Sequence, residues 1–372
     1  MKKILYIGRF ELPDKEATAN RVIANAKLLR ELDYEVVLAG WSADVAKNKK
    51  WKQSEYYGFK CYEKHKAKTS YEKYRMFVDA TPELELLKSE QFDMVIAYDF
   101  PAVALGRIMK YCKQNSILCI GDVSEWYTNS NKNPFFRLVR AYDSYKRMKV
   151  LHKKMDGLIV ISRYLENYYK DCKTVYIPPL VDTRDEKWQL EKSDSADTIK
   201  LIYAGWPSRK KERLDLIVNA VVELSKAHDV TLDVYGITET QYKQIYRLED
   251  LQTDKAISFH GRVSHKQTLQ AVKNADFSII ARESSLKNNA GFPSKLVESI
   301  TCGTPVLTTA ISNVSEYVKE NNNGLIITLN SIKQNVQDVI VSRSKIKTDS
   351  NLFDYHNFKK EMDTFLKGIE KI

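Results

Sequence analysis

The sequence has few cysteines, and none of them form a metal-binding or redox pair. Its 372 residues include five cysteines, and no Cys-x-x-Cys motif occurs. An odd number of scattered cysteines argues against both a disulfide framework and a zinc site. His152, His260 and His265 also lack the spacing of metal ligands. We therefore expect free thiols in a reducing compartment, and surface or packing roles for these histidines.

Long hydrophobic runs are missing as well. No stretch of the sequence approaches the roughly 18 apolar residues of a membrane span. The apolar run near the start lasts only about six residues, which is shorter than the core of a secretion signal, and no small-residue cleavage site follows it. We interpret that run as a buried first strand. The sequence thus predicts a cytoplasmic protein.

The charge is basic and unevenly distributed. Lys and Arg number 59 and Asp and Glu 48, a net charge of +11. Residues 1–180 hold 32 basic and 22 acidic residues, whereas the remainder hold 27 and 26. The first half is therefore a candidate for facing something anionic, although solvated lysines explain the charge equally well.

One stretch, 62–77, interleaves aromatic residues with lysines. Such a stretch can rest on an anionic membrane, and this makes peripheral contact with the inner face of the plasma membrane a candidate. An ordinary charged helix and loop is the favoured alternative. A nucleic-acid partner is disfavoured, because no recognition motif occurs and the basic residues are spread out.

Short apolar runs alternate with amphipathic stretches through the first half. Helical spacing of apolar residues predicts helices over 17–32 and 102–114. Short runs rich in branched residues predict strands buried on both faces. These strands are expected at 2–10, 34–41, 94–99, 116–122 and 157–162. Strand, helix and strand in succession indicate right-handed crossovers and a parallel sheet.

The alternation of predicted strands and helices is interrupted once and then resumes. Residues 183–198 are polar and without period, which is typical of a linker. Further strands are then expected at 200–206, 231–236, 256–261, 277–282, 304–309 and 323–328. We therefore predict an α/β chain of two Rossmann-like, doubly wound domains that face each other across a cleft, where ligands of such sheets bind. The predicted divisions are an N-terminal acceptor-binding domain at 1–176, a linker at 177–199, a C-terminal donor-binding domain at 200–350, and a helix at 351–372 that returns to the N-terminal domain.

The segment 282–309, RESSLKNNAGFPSKLVESITCGTPVLTT, is the richest in candidate chemistry. Residues 291–294 break the chain after a predicted strand, and a helical pattern follows. A helix start offers unpaired N–H groups and a positive dipole end, which suit a phosphate. The positive charge of Lys295 is unfavourable beside the positive end of that dipole, unless an anion binds between them. Glu298 can accept hydrogen bonds from two ribose hydroxyls. A normal capped helix with a solvated glutamate is the alternative.

Several segments resemble the retaining GT-B glycosyltransferases of family 4. The sequence at 290–309 is similar to that family's donor-site signature, in which a Glu-x₇-Glu motif is followed by a Gly-x-Pro-Val turn. The segments 158–169, 176–182 and 203–221 agree with the family in the same order along the chain, and 13–37 looks like its first loop and helix. The resemblance implies the GT-B fold and a nucleoside diphosphate sugar as the donor.

The same resemblance implies roles for individual residues and shows two departures. Glu298 matches the second glutamate, which is expected to hold the ribose. Ala290 stands at the place of the first glutamate, and Pro293 replaces a residue that could donate its N–H to phosphate. Lys295, Asn289 or Arg282 are candidates to compensate. The donor-binding residues expected from this segment are Arg282, Asn289, Gly291, Phe292, Ser294, Lys295 and Glu298.

A basic turn at 205–212 is the second candidate site. Family members carry an Arg and a Lys near this position that clamp the donor diphosphate, and phosphate recognition requires cations that stay protonated. Trp206 stands where the family's Arg often is, so the resemblance transfers the role to Arg209 and Lys211, with Lys210 as a further candidate. A solvated basic turn that opens a helix is the alternative.

The third candidate site follows the strand predicted at 116–122. In the family that the chain resembles, the position of Asp122 commonly carries a His or Asp beside the reacting sugar, and the resemblance therefore predicts Asp122 as catalytic. An N-capping aspartate is the alternative. Glu125, which follows a predicted strand, and Arg9, near the end of the first predicted strand, are the expected acceptor-binding residues. Nothing supplies a carboxylate pair at glycosidase spacing, so no nucleophile is assigned.

These observations together favour a retaining glycosyltransferase of the hexosyl-transferring type. Its partners would be a nucleotide-sugar donor and a saccharide or polyprenyl-linked acceptor, in surface polysaccharide or glycolipid synthesis. We expect no cofactor and no metal, because lysines and a helix terminus can neutralise the diphosphate. Two alternatives stay open: a sugar-nucleotide epimerase of the same architecture, and a catalytically silent scaffold that binds a nucleotide or a partner transferase.

Overall fold

The chain folds into two compact units. The computed structural model describes residues 1–13, 15–126, 134–193, 198–209, 211–248, 254–320, 322–342, 346 and 348–370. The first unit is Met1–Val181 together with Tyr355–Ile372, and the second is Asp182–Asp354. Each unit has one sheet of mainly parallel strands.

The first unit has a sheet of eight strands. They are β1 (Lys2–Gly8), β2 (Tyr34–Ser42), β3 (Lys52–Tyr56), β4 (Phe59–His65), β5 (Met94–Tyr98), β6 (Leu118–Val123), β7 (Gly157–Val160) and β8 (Thr174–Tyr176). Their order across the sheet is β3-β4-β2-β1-β5-β6-β7-β8. Neighbouring strands are parallel except β3 and β4, which form an antiparallel hairpin at one edge.

Helices cover both faces of this sheet. They are α1 (Ala17–Arg30), α2 (Ser70–Val78), α3 (Thr81–Ser89), α4 (Ala102–Gln114), α5 (Pro134–Lys146) and α6 (Arg163–Tyr168). Successive side chains of a strand point to opposite faces, so Tyr6 of β1 packs in the core under α1 while Leu5 packs in the core under α4. Burial on both faces explains why these strands read as continuous apolar runs.

The second unit has a sheet of six parallel strands. They are β9 (Ile199–Ala204), β10 (Val230–Tyr235), β11 (Ile257–Gly261), β12 (Phe277–Ile280), β13 (Val306–Thr309) and β14 (Gly324–Ile327). The order is β11-β10-β9-β12-β13-β14. Strand order reverses between β9 and β12, which makes their carboxyl ends the topological switch point where ligands of such sheets bind.

The helices of the second unit follow the same crossover pattern. They are α7 (Leu214–Leu224), α8 (Glu239–Tyr246), α9 (His265–Asn274), α10 (Leu286–Ala290), α11 (Ser294–Thr301) and α12 (Ile332–Ser342). Capping boxes fix the starts of α8 and α9, since Thr238 pairs with Gln241 and Ser264 with Gln267. The prediction of an α/β chain with two Rossmann-like domains is confirmed.

A last helix, α13 (Lys359–Glu370), packs in the first unit. Its buried residues include Met362, Phe365 and Leu366, which join the core that also holds residues of α1. Within the described ranges, no helix has both the length and the apolar character that crossing a bilayer requires.

Candidate functional site

The buried carboxylate of Glu212 contacts two cationic side chains at the switch point of the second unit. Tyr203 lies on β9, Arg282 follows β12, and Lys295 is in the first turn of α11. The guanidinium of Arg282 donates two hydrogen bonds to Glu212 Oε1, at 3.0 and 2.6 Å. The ammonium of Lys295 lies 2.8 Å from Glu212 Oε2 and 2.7 Å from the Tyr203 hydroxyl, which itself donates to Glu212.

The charges in this cluster change the ionisation of its members. Burial disfavours the ionised form of Glu212, yet Lys295 and Arg282 together lower its pKa to about 2. Burial lowers the pKa of Lys295 to about 8, against the opposing effect of Glu212. Two cations thus share one carboxylate, and Lys295 becomes a cation that titrates just above neutral pH.

Close backbone approach places Lys295 against the end of β9. Gly205 has a φ of +129°, a conformation that L side chains rarely adopt. A Cβ added there would lie 2.5 Å from Lys295 Cε. Glycine at 205 therefore makes room for the lysine stem, which passes over the Tyr203 ring with its ammonium 3.9 Å from the ring centroid.

The start of α11 has no side-chain cap. Its N-cap is Pro293, which makes no capping hydrogen bond, and Ser294 is its first residue. Glu298, one turn into α11, lies 3.2 Å from His265 Nε2 at the start of α9. Both side chains are partly exposed, at 26% for Glu298 and 37% for His265. The sequence analysis did not predict a role for His265 at this position.

Several residues expected at the donor site make contacts of their own within the fold. The ring of Phe292 packs edge-on against Tyr317 and Phe353, with centroids 5.6 and 6.0 Å away. Asn289 donates to Ser284 Oγ and accepts from the backbone N–H of Ser312. Phe292 and Asn289 thus hold the surrounding loops, and their predicted contact with a donor stays a prediction.

In the basic turn after β9, the residues expected to bind the donor differ in exposure, and their predicted role stays a prediction. Arg209 is exposed, whereas Lys211 is half-buried and its backbone carbonyl accepts a hydrogen bond from Asn288. Lys210 lies outside the described residues. Gly291 is the C-cap of α10. The sequence analysis did not single out two members of the cluster around Lys295 and Arg282, namely Glu212 and Tyr203; a carboxylate next to the basic run 209–211 was the available signal for Glu212.

Asp122, predicted as catalytic, lies at the centre of a buried network in the first unit. Its side chain is 0% exposed. Arg21 of α1 donates to it from Nε and Nη2, at 3.0 and 2.7 Å, and Tyr6 and Asn25 also donate to it. Arg21 reaches on to the backbone carbonyl of Ile177 at 2.9 Å. This arrangement gives Asp122 a structural role and does not favour contact with a sugar; the catalytic role stays a prediction.

Another acid, Asp99, lies beside this network at the carboxyl end of β5. It is buried, has a φ of +42°, and accepts a hydrogen bond from Ser124. Burial raises its pKa to about 6, Glu125 and Asp122 add to the effect, and Arg147 opposes it. Strained backbone and shifted pKa values both occur often at functional sites, which makes Asp99 a candidate. The sequence analysis did not identify Asp99.

The two expected acceptor residues lie near that edge. Glu125 is half-buried after β6. Arg9 follows β1, and its guanidinium lies over the Phe77 ring, 5.0 Å from the centroid. Since β1, β5 and β6 are adjacent in the sheet, Arg9, Asp99 and Glu125 follow three neighbouring strands at the same edge.

The histidines do not gather around a metal. His152 is buried against Tyr169, and burial together with Arg147 lowers its pKa to about 3. His260 stacks on Tyr235 with ring centroids 4.2 Å apart. Among the residues that the structure describes, no group of three or more His, Cys, Asp and Glu side chains is placed to hold a metal ion.

Comparison with known proteins finds a family match within the second unit. Residues 186–343 match the model of the family "Glycosyl transferases group 1". This range contains Arg209, Glu212, Arg282, Lys295 and Glu298. An uncharacterized glycosyltransferase of Methanocaldococcus jannaschii is 25% identical over 241 residues, which cover 60% of this chain and 58% of that protein. The match therefore spans less than two thirds of that relative.

Solved structures extend the similarity to the whole chain. The sucrose-phosphate synthase of Thermosynechococcus elongatus superposes with a TM-score of 0.73 at 12% identity, covering 100% of both chains. The HepE protein of Anabaena, in complex with UDP and glucose, superposes with a TM-score of 0.64 at 13% identity, covering 99% of this chain and 100% of that one. The match to the glycosyl transferases group 1 family thus covers most of the second unit, in a chain with the GT-B fold.

Proposed function

We propose that the protein transfers a hexose from a nucleoside diphosphate sugar to a saccharide or lipid-linked acceptor, with retention of configuration. Synthesis of a surface polysaccharide or glycolipid is the proposed setting. The family match over residues 186–343 supports a donor site in the second unit. The complex of the Anabaena protein with UDP and glucose supports a nucleotide sugar as the donor.

The observation that carries this proposal is the cluster of Arg282, Lys295 and Glu212 beside the start of α11. At neutral pH its two cations and one carboxylate leave one positive charge at the carboxyl edge of β9 and β12. The first N–H groups of α11 add a partial positive charge. A diphosphate placed there would compete with Glu212 for both cations, which are the right types for phosphate.

Glu298 and His265 form the proposed ribose position. Glu298 lies about one turn along α11 from Lys295, His265 is the first residue of α9, and both side chains are partly exposed. A carboxylate oxygen can accept from a ribose hydroxyl, and the imidazole fixes the orientation of that carboxylate through the contact of 3.2 Å. The rise along the helix between Lys295 and Glu298, roughly 4.5 Å for three residues, suits a ribose attached to a diphosphate at the helix start.

The chemistry that these residues supply is electrostatic. Negative charge develops on the diphosphate as the bond to the sugar breaks, and fixed cations stabilise that charge without rearrangement. The leaving phosphate would take the proton of the acceptor hydroxyl on the same face of the sugar, as the family resemblance implies. This mechanism assigns no nucleophile to the chain and no role to a metal ion.

A catalytically silent nucleotide-binding protein is a second candidate, and one observation favours it. The position of the family's first glutamate holds Ala290, whose side chain is 0% exposed. A buried methyl group at that place cannot bind the donor sugar. Such a protein would bind nucleotide sugars without turning them over.

Incubation with a panel of nucleotide sugars tests both candidates. Release of the nucleoside diphosphate that depends on a saccharide or lipid acceptor, with the product retaining the donor's anomeric configuration, supports the transferase. Tight binding without release supports the silent protein. An isomerised donor would support an epimerase and overturn the proposal.

A further inference from the structure

Helix α5 presents an apolar stripe to solvent. Phe135, Leu138, Tyr142 and Tyr145 recur at intervals of three, four and three residues, so they lie along one side of the helix. Their exposed fractions are 58, 71, 54 and 59%. A stripe at this spacing normally faces a core. On α5 the buried residue is instead Asp143, whose carboxylate accepts a hydrogen bond from the Ala102 N–H at 2.6 Å.

Within the described residues 134–149, every exposed charged residue is positive. Arg137 and Arg140 are exposed on α5, and Lys149 is exposed in the π-helical segment Arg147–Leu151 that follows. Lys146 lies over the Tyr142 ring and Lys149 over the Tyr145 ring, 5.4 and 5.6 Å from the centroids. Asp143 is the single acidic residue of 134–146, and it is buried.

Helix α2 extends the aromatic surface. Tyr71 and Tyr74 are 68 and 40% exposed. The Tyr74 ring lies 6.1 Å from the Phe135 ring, so the two helices join at their aromatic sides. We call this surface the α2–α5 face. It consists of Tyr71, Tyr74, Phe135, Leu138, Tyr142 and Tyr145 with Arg137, Arg140, Lys146 and Lys149.

We propose that the α2–α5 face docks the first unit on an anionic membrane surface. Tyrosine and phenylalanine suit the boundary between headgroups and acyl chains, since their rings are apolar or end in one polar group. Arginine and lysine beside them attract anionic lipids. A membrane is favoured over a second copy of the chain because two such faces would bring Arg137, Arg140 and Lys149 of each copy together.

The proposal is independent of sugar transfer, because vesicle binding needs neither donor nor acceptor. If the proposed function is also correct, docking would bring the acceptor-side unit to a lipid-linked acceptor. A protein that binds vesicles without transferring a sugar would contradict only the proposed function. A transferase that ignores vesicles would contradict only the docking surface.

Co-sedimentation with vesicles tests the face directly. We expect binding to vesicles of phosphatidylcholine with phosphatidylglycerol, weak binding to phosphatidylcholine alone, and loss of binding as salt rises. The pair Phe135→Ser and Leu138→Ser should weaken the partition by about tenfold. The matched control is Val341→Ser, because Val341 is 67% exposed on α12 of the second unit; it should bind like the wild type.

A second pair separates charge from apolar contact. Arg137→Gln with Arg140→Gln should weaken binding to the anionic vesicles by about tenfold. Lys226→Gln with Lys255→Gln removes the same charge from exposed positions of the second unit and should leave binding unchanged. Thermal unfolding shows whether each variant is folded, and we expect these substitutions at exposed positions to change the melting temperature little.

Three results would overturn the proposal. The first is no binding of the wild type to anionic vesicles. The second is equal binding of the wild type and both α5 variants. The third is a concentration-dependent dimer in solution that Leu138→Ser abolishes, with no vesicle binding, which would assign the face to a second copy of the chain.

Discussion

The ammonium of Lys295 lies 2.8 Å from a carboxylate oxygen of Glu212, and this contact joins α11 to the loop after β9. Arg282 binds the other oxygen of the same carboxylate at 2.6 Å. Glu212 thereby positions the side chains of both Lys295 and Arg282. The pairing makes Glu212 a positioning residue whose loss should affect both stability and nucleotide binding.

Removing the charge of Glu212 should destabilise the protein. Glu212→Gln leaves two buried cations without a carboxylate, and breaking a buried ion pair in this way costs roughly 3–5 kcal/mol. Denaturant unfolding measures the change. The matched control is Glu283→Gln, because Glu283 is 49% exposed and pairs with Arg213 at 3.0 Å; it should cost less than about 1 kcal/mol. Equal effects of the two substitutions would contradict the role of Glu212.

The same carboxylate predicts a dependence of stability on acid. The pKa of Glu212 is about 2 in the folded protein, below its usual 4.5. The unfolded chain therefore takes up the proton more readily, so the stabilisation is complete above about pH 4.5 and is lost as the pH falls towards 2. Glu212→Gln should be less sensitive than the wild type to acid in this range.

Nucleotide affinity should fall above pH 8 if Lys295 binds the diphosphate. The pKa of Lys295 is lowered to about 8, so the ammonium loses its proton as the pH rises through that value. The dissociation constant of a nucleoside diphosphate should then rise about tenfold per pH unit, until the pKa of the complex is reached. Calorimetric titrations between pH 7 and about 9.5 measure this slope.

Two variants make that test specific. Lys295→Arg keeps the charge throughout the range, so its affinity should not follow this titration. Lys287→Ala removes an exposed lysine of α10 and should keep the wild-type slope. A wild-type affinity that does not change between pH 7 and about 9.5 would show that the Lys295 ammonium does not contact the ligand.

Asp122 should prove structural. Asp122→Asn leaves Arg21, itself 3% exposed, without its carboxylate, which should cost roughly 3–5 kcal/mol. Asp44→Asn is the control, because Asp44 is 71% exposed in its pair with Lys15. At a temperature where Asp122→Asn is folded, kcat should stay near that of the wild type. A large fall in kcat without loss of stability would support the catalytic role predicted from the sequence.

Asp99 should make the protein less stable as the pH rises from about 4 to 6. Its pKa is about 6 in the folded protein and 3.8 ordinarily, so the folded state holds the proton more tightly over this range. The shift corresponds to roughly 3 kcal/mol. Asp99→Asn removes the titration and is compatible with the positive φ, which asparagine tolerates. Identical pH profiles for both proteins would contradict this account of Asp99.

The sequence predicted the interior of the fold better than its edges. The helix expected at 102–114 is α4, and the strand expected at 94–99 is β5, because both carry continuous or periodic apolar residues. The hairpin of β3 and β4 was not predicted, since β3 (KQSEY) is polar and lies at a sheet edge. Helix α5 was not predicted either, and its apolar stripe faces solvent.

The sequence pointed to the cations of the candidate site and not to the buried carboxylate of Glu212. A helix start, basic residues and a resemblance predicted Lys295, Arg282 and Glu298, and their role in donor binding stays a prediction. Glu212 was missed because nothing in the run RKKE shows that its last residue is 2% exposed. The burial of Asp122 was equally invisible, since its partners Tyr6, Arg21 and Asn25 lie about a hundred residues away along the chain.

Isothermal titration of the protein with nucleoside diphosphates and nucleotide sugars tests the central claim most directly. We predict that at least one of them binds, that Glu298→Ala weakens this binding about tenfold, and that Glu298→Ala no longer distinguishes a ribonucleotide from its 2′-deoxy analogue. Absence of heat with every nucleoside diphosphate and nucleotide sugar, confirmed by an unchanged melting temperature, would contradict the claim that the second unit binds the donor.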